Sequence, residues 1–311
     1  MNVRVLPAIA GLCLWFGLMA PAATAATISE GGVSWFVQDL GTRGLGVQDA
    51  TFLSTAQGDA YDDGLIMRVN GSVLTPVLIS PITNANGTTV TSGAFSLSGL
   101  NVTTQYFFQA TSPTARTISV FQNPSASPIA VTITFETNVG SDGGTNVIST
   151  SSGDTLFTNA DRWIVTDDST TAGDPANTHV LFGPGSVLSP SNAFLTTTFS
   201  SAGDQGVRDD FALTVPGGST VALMFFNELR ATAADAELWA AVFDDTAIMA
   251  TLGFLEDLPA GITPQQIVNW NLAAAAPTPE ASVPEPSSMA LTGVAALCLV
   301  SFALMRRRVA R

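Results

Sequence analysis

Six aspartates, Asp142, Asp154, Asp161, Asp167, Asp168 and Asp174, fall in one stretch, and glycine or serine flanks several of them. Carboxylate oxygens on such loops are the hard ligands that calcium takes. Aspartate also bonds its own backbone in Asx-turns, and that turn reading is the ordinary one. No spacing here matches an EF-hand or a nonapeptide calcium repeat. Asp142, Asp154, Asp167 and Asp168 therefore stand as candidate calcium ligands beside the turn reading, and no other cofactor is implied. A polysaccharide hydrolase needs only two carboxyl groups at the right separation. The sequence singles out no such pair.

Other catalytic chemistry finds little support. No G-x-S-x-G string supplies a serine nucleophile, and no P-loop or G-x-G-x-x-G fingerprint occurs. His179 is the one histidine of the chain, too few for a histidine-based zinc site, and it reads as a strand residue. Cys13 and Cys298 both lie in apolar runs near the two ends, so the middle has no cysteine nucleophile and no disulfide framework. Trp163, in a strand-like run, and Trp270 read as packing residues, which leaves sugar stacking unindicated. The resulting expectation is a protein that is not an enzyme.

All 11 basic residues are arginine, against 25 acidic ones, for a net charge of −14. Such a surface repels phosphate backbones and excludes nucleic acid as a partner. From Ala26 to Leu272 the texture is threonine, serine, glycine, asparagine and β-branched residues. Ile129, Val131, Ile133 and Phe135 alternate with polar neighbours, and Thr117–Phe121 does the same. Asn123 to Pro128 between them favours a turn, so the two read as a hairpin. Further strands are expected at Val33–Gln38, Leu65–Asn70, Val73–Ile79, Val102–Gln109, Asn146–Thr150, Arg162–Thr166, His179–Phe182, Phe194–Phe199, Phe211–Val215 and Thr220–Asn227. The fold class is mainly β, a large antiparallel β-sandwich with a few short helices near the C-terminal end of this region. One or two helices are expected within Leu229–Leu255, packed on one end of the sandwich. Thr263-Pro264-Gln265-Gln266 predicts a capped short helix that runs to about Leu272.

The two ends carry addresses. Arg4, the apolar run Val5–Ala20 and Ala23-Thr24-Ala25 have the layout of a secretory signal cut after Ala25. Ala273–Pro286 is a small-residue, proline-rich spacer. Met289–Met305 is uncharged and at the short end for a membrane span, and Arg306, Arg307 and Arg308 follow it, which orients that end to the cytoplasm. The chain thus divides into a signal (1–25), an exported domain (26–272), a linker (273–286), a transmembrane helix (287–305) and an arginine-rich end (306–311).

Val283-Pro284-Glu285-Pro286 just before the apolar run is not explained by a plain single-pass anchor. With the run and the arginines, this tail resembles the PEP-CTERM sorting signal of bacterial envelope proteins. The resemblance covers only about residues 283–308. It implies recognition of Pro284, Glu285 and Pro286 by an exosortase, transient anchoring in the inner membrane, and release to the cell envelope or an extracellular biofilm matrix. It says nothing about the fold or ligand of the exported domain. There the expected role is structural, adhesive or carbohydrate-binding, with exopolysaccharide as a candidate partner; the alternatives are a secreted carboxylate-dependent polysaccharide hydrolase or a plain single-pass membrane-anchored protein.

Overall fold

The computed structural model describes residues 25–75, 80–168, 173–196 and 206–272. The signal region before Ala25, the linker, the expected span, the VPEP motif and Arg306–Arg308 lie outside them. Among the described residues no helix is long and apolar enough to cross a membrane.

The strands are β1 (Ala25–Glu30), β2 (Val33–Asp39), β3 (Leu45–Phe52), β4 (Ile66–Val69), β5 (Ser72–Val73) and β6 (Ile82–Thr83). They continue as β7 (Gly87–Thr91), β8 (Phe95–Leu97), β9 (Leu100–Gln109), β10 (Thr114–Gln122), β11 (Ile129–Asn138) and β12 (Asn146–Thr150). The last are β13 (Trp163–Asp167), β14 (Ala176–Val180), β15 (Asn192–Thr196), β16 (Gly206–Val215) and β17 (Thr220–Arg230). They form three antiparallel sheets: β1-β2-β3, the five-stranded β15-β16-β11-β4-β5, and a nine-stranded sheet in the order β12-β13-β14-β17-β10-β9-β7-β6 with β8 also on β9.

The two smaller sheets meet at the Val47–Gly64 bridge and together face the nine-stranded sheet. Alternation explains the core. On β11, Val131, Ile133 and Phe135 point inward, and Phe135 stacks on Phe225 of β17 at 4.1 Å between ring centroids. Phe211 of β16 meets Phe225 edge-on at 5.7 Å. Trp35 of β2 lies 5.2 Å from Phe108 of β9. The architecture is the mainly β sandwich expected from the sequence.

Strand β17 buries both its faces. Opposite Phe225, Phe226 meets Phe243, Phe254 and Trp270 at centroid distances of 5.2, 5.9 and 5.4 Å. This second layer comes from helix α1 (Ala233–Ala240), helix α2 (Thr246–Thr251) and the chain that follows. Trp163 and Trp270 are packing residues, as expected: Trp270 Nε1 donates to the Met224 carbonyl at 2.8 Å and Trp163 Nε1 to Asp244 at 3.2 Å. Arg116 on β10 is buried beneath the same layer and clasps it, donating to the carbonyls of Phe254, Glu256 and Asp257.

Several expectations are corrected. Thr117–Phe121 and Ile129–Asn138 do not pair as a hairpin. Strand β10 joins β9 and β17, whereas β11 joins β4 and β16 in the other sheet. The turn between them crosses the sandwich, fastened by Asn123 Nδ2, which donates to the Ser127 and Val215 carbonyls at 2.8 and 2.9 Å. Helix α1 lies over the outer face of β12, β13, β14 and β17 instead of one end of the sandwich. The strand reaches Arg230 before α1 starts. The capping box at Thr263 forms with Pro264 at N1, but the helix is one 3-10 turn, Pro264–Gln266. Ile267 then bridges Ala222, and the Val268 amide bonds the Ala222 carbonyl at 2.9 Å, so backbone pairing draws the chain out of the helix. The strand expected at His179–Phe182 lies earlier, at Ala176–Val180. Of Val73–Ile79, Val73 is in β5 and residues 76–79 lie outside the described residues.

Candidate functional site: an acidic cleft

An acidic cleft forms where the connection from β3 to β4 crosses the end of β11. The connection is laced in place by backbone bonds. Asp63 N bonds Gln48 O at 3.0 Å, Asp62 N bonds Asn138 O at 3.2 Å, and Gly140 N bonds Ala60 O at 3.1 Å. Gly140 is required by this contact, because a Cβ there would lie 1.5 Å from the Asp59 carbonyl oxygen. Asp59, Asp63 and Asp142 adopt left-handed φ values of 61°, 73° and 52°, a region that aspartate tolerates better than most residues.

Two hollows meet at Asp59. One, of about 470 Å³, is lined by Arg43, Gln48, Asp49, Tyr61, Asp62, Asp63 and Asn138 with Asp59. The other, of about 600 Å³, runs from Asp59 past Thr55 and Gln57 to Asp174 and Thr232. Arg43 bonds Asp63. Partial burial and the neighbouring charges of Asp59 and Asp142 push the Asp62 carboxyl up to about 6, helped by a side-chain hydrogen bond with Asp142. Burial and the charges of Asp59, Asp168, Asp142 and Asp167 push Asp174 up to about 6 as well. Asp59 is raised by burial, Asp49 and Asp142. These groups are like charges crowded on one surface, and each disfavours ionisation of the next.

The aspartates singled out in the sequence separate. Asp142, Asp167, Asp168 and Asp174 join the acidic cleft and its margin. Asp167 accepts from the Asp168 amide at 2.8 Å and is pushed up to about 6, first by burial. Asp154 is elsewhere, in the turn after β12. It accepts from the Leu156 amide at 3.0 Å and the Thr150 hydroxyl at 3.1 Å, and the first of these chiefly holds its carboxyl below the usual range. Asp161 is a buried turn residue that accepts from Ser152, and from the Thr158 amide at 2.9 Å. Thus Asp142, Asp154, Asp167 and Asp168 do not form one calcium site. Among the described residues no three histidine, cysteine, aspartate or glutamate side chains are grouped to hold a metal ion.

Sequence reading missed Asp49, Asp59, Tyr61, Asp62 and Asp63. The signal was the string Gly58-Asp59-Ala60-Tyr61-Asp62-Asp63-Gly64, three acids between two glycines. His179 is buried on β14, where Nδ1 and Asn227 Nδ2 are 2.6 Å apart. Burial pushes its pKa down to about 3, so at neutral pH it is an uncharged interior residue away from the cleft.

No protein-family model matches the chain, and no curated protein matches it. Similar solved structures include a galactose mutarotase-like protein from Lactobacillus casei, 10% identical, TM-score 0.44, covering 66% of this chain and 100% of that one. A putative aldose 1-epimerase from Klebsiella pneumoniae is 11% identical with TM-score 0.43, covering 79% and 85%. The heparan sulfate lyase HepC from Pedobacter heparinus is 7% identical with TM-score 0.44, covering 68% and 37%. At these scores the likenesses carry no argument about this chain's chemistry.

Proposed function

We propose that this is an exported cell-envelope or extracellular-matrix protein, sorted by its tail, whose sandwich acts there as a binding or structural module without catalysis. The observation that carries the reading is the order of parts in the sequence. A signal-like N-terminus is matched by Val283–Pro286, the uncharged run Met289–Met305 and Arg306–Arg308. Proline at 284 and at 286 is a residue type that disfavours helix, which suits a motif that a membrane protease-transpeptidase must read. In this reading the chain supplies the substrate motif and the exosortase supplies the chemistry.

The cleft supports binding over hydrolysis. Asp62 and Asp142 hydrogen-bond each other, so they lie side by side instead of flanking a scissile bond. A hydrolase remains the second reading, favoured by the Asp62 carboxyl near 6, which suits proton donation. Replacing Asp62 by asparagine separates the two. Polysaccharide cleavage that the wild type performs and Asp62→Asn abolishes would establish the enzyme.

The sorting reading is tested by mass spectrometry of the mature C-terminus in the native host. A chain that ends near Pro286 is the expected result. An abundant form that retains Arg311 would leave a plain membrane anchor. The Pro284→Ala/Pro286→Ala variant is expected to accumulate as membrane-retained precursor.

A further inference from the structure

We propose that a trough on the outer face of β7, β9 and β10 binds a neutral acetamido sugar, with Gln105 Nε2 donating to the acetamide carbonyl. The trough shares no lining residue with the acidic cleft. The inference rests on the matrix reading above for its choice of a sugar, and on the trough itself for the acetamido group.

The trough holds about 500 Å³. Alternation makes its floor. Val102 and Tyr106 of β9 face the core, so Thr103 and Gln105 face outward, joined by Thr89 and Thr91 of β7 and Val120 of β10. Ile82 of β6 stands at the rim with 65% of its surface exposed, and Leu258 and Pro259 form a further wall. That wall is fixed before any ligand arrives. Arg116 donates to the Asp257 carbonyl at 2.9 Å, and Asn86 Nδ2 donates to Glu256.

Gln105 points to a ligand. It is only 7% exposed, and Arg116 Nη2 donates to its Oε1 at 3.3 Å. A guanidinium only donates, so this bond fixes which end of the amide is oxygen and turns Nε2 the other way. Nε2 has no hydrogen-bond partner among the described residues, yet it is not sealed from solvent as the Arg116 Nε beside it is. The open space that Gln105 borders is the trough. A ligand that covered this donor without an acceptor would leave it unpaired at a cost, and a carbonyl oxygen supplies the acceptor.

The surroundings of Gln105 suit an acetamide on a sugar. The hydroxyls of Thr89, Thr91 and Thr103 can accept its N–H and meet ring hydroxyls. Val120, Leu258 and Pro259 give its methyl an aliphatic seat. That row of hydroxyls favours a polyol over a peptide. Charge selects a neutral one. Asp257 is the only charged side chain among the described lining residues, and it already accepts from Asn86 Nδ2 at 3.4 Å, so it is a poor seat for a cation. An anionic sugar is repelled by a chain of net charge −14.

The test is calorimetric titration of the full chain at pH 7, in micelles of a detergent without a sugar headgroup. The three probes are a β-1,4-linked N-acetylglucosamine hexamer, a glucose hexamer of the same linkage and a neutral Ser-Gly hexapeptide. Binding of the acetylated hexamer is expected, with the glucose hexamer at least about tenfold weaker. Gln105→Glu keeps an acceptor for Arg116 and replaces the donor by a carboxylate oxygen. Its melting temperature is expected to hold while binding falls at least about tenfold, which separates lost binding from lost fold. Thr103→Val, of the same shape without the hydroxyl, is expected to weaken binding several-fold. Equal binding of the glucose hexamer, tighter binding of the peptide, full binding in both variants or no binding would each overturn the proposal. Mass spectrometry of the tail reads the sorting hypothesis independently. A processed tail without sugar binding defeats the trough alone, and an intact tail with binding defeats the sorting alone.

Discussion

Arg116 offers the sharpest test of how the second layer is held to the sandwich. Its guanidinium donates to the Phe254 and Asp257 carbonyls at 2.8 and 2.9 Å, to the Glu256 carbonyl, and to Gln105 Oε1 at 3.3 Å. It also lies 4.7 Å from the centre of the Phe107 ring. Burial lowers its pKa to about 9, with the charge of Asp257 acting against that. By the usual conversion this drop corresponds to an order of ~5 kcal/mol against the charged form. Hydrogen bonds to a charged donor contribute roughly 1.5–3 kcal/mol each, so three carbonyls offset the penalty. Arg116→Met removes both effects and leaves carbonyls unpaired, some of which water can reach. We expect a net loss of ~3 kcal/mol, measured by urea unfolding followed through tryptophan fluorescence, with hydrogen exchange rising first in residues 250–260. Arg116→Lys keeps the charge but loses the planar fork, with an expected loss of ~2 kcal/mol. Losses below about 1 kcal/mol in both variants, with unchanged exchange, would refute the clasp.

Asp62, Asp167 and Asp174, each pushed up to about 6, bind more protons folded than unfolded between pH 4 and 6. Their contribution therefore falls as pH rises through that window, and thermal melts should show it, more weakly at high salt. The charges that face them are Asp49, Asp59, Asp63, Asp142 and Asp168, with Arg43 on Asp63. Asp174→Asn should accordingly raise the melting temperature at pH 7.5 by the equivalent of no more than about 1 kcal/mol, and lose that advantage at pH 4.5. Gly140→Ala, with its Cβ 1.5 Å from the Asp59 carbonyl oxygen, should cost roughly 2–3 kcal/mol and displace the Asp59 loop, seen as a lowered melt and faster hydrogen exchange in residues 59–63. Phe225→Ala, which removes the ring that both Phe135 and Phe211 contact, should cost about 3–5 kcal/mol in urea unfolding.

The strands were legible because their chemistry is local. Val131, Ile133 and Phe135 alternate on β11, and Asn146–Thr150 is β12 from end to end. Partnership was less legible. Asn123 to Pro128 reverses the chain whether the next strand joins the same sheet or the opposite one, and only the neighbours of β11, Ile66–Val69 and Gly206–Val215, decide it. The cleft was half legible for the same reason. Asp142, Asp167, Asp168 and Asp174 stood together in the sequence, but Asp59 and Asp62 come from a distant connection that reaches them only through the bonds to Asn138 and Gly140. Asp154 shares their neighbourhood in the chain and turns to its own loop instead.

Strand β1 has a consequence for timing. It begins at Ala25, and Ala25 and Ala26 are already in register with Gln38 and Val37 of β2. A signal peptidase that cuts after Ala25 would find its target bond inside a formed ladder, where an extended chain already committed to a neighbour cannot enter a protease groove. On the export reading proposed above, cleavage after Ala25 would have to come before the three-stranded sheet closes. Strand β1 is the edge of that sheet, so on the same reading folding of this corner would wait on removal of the leader.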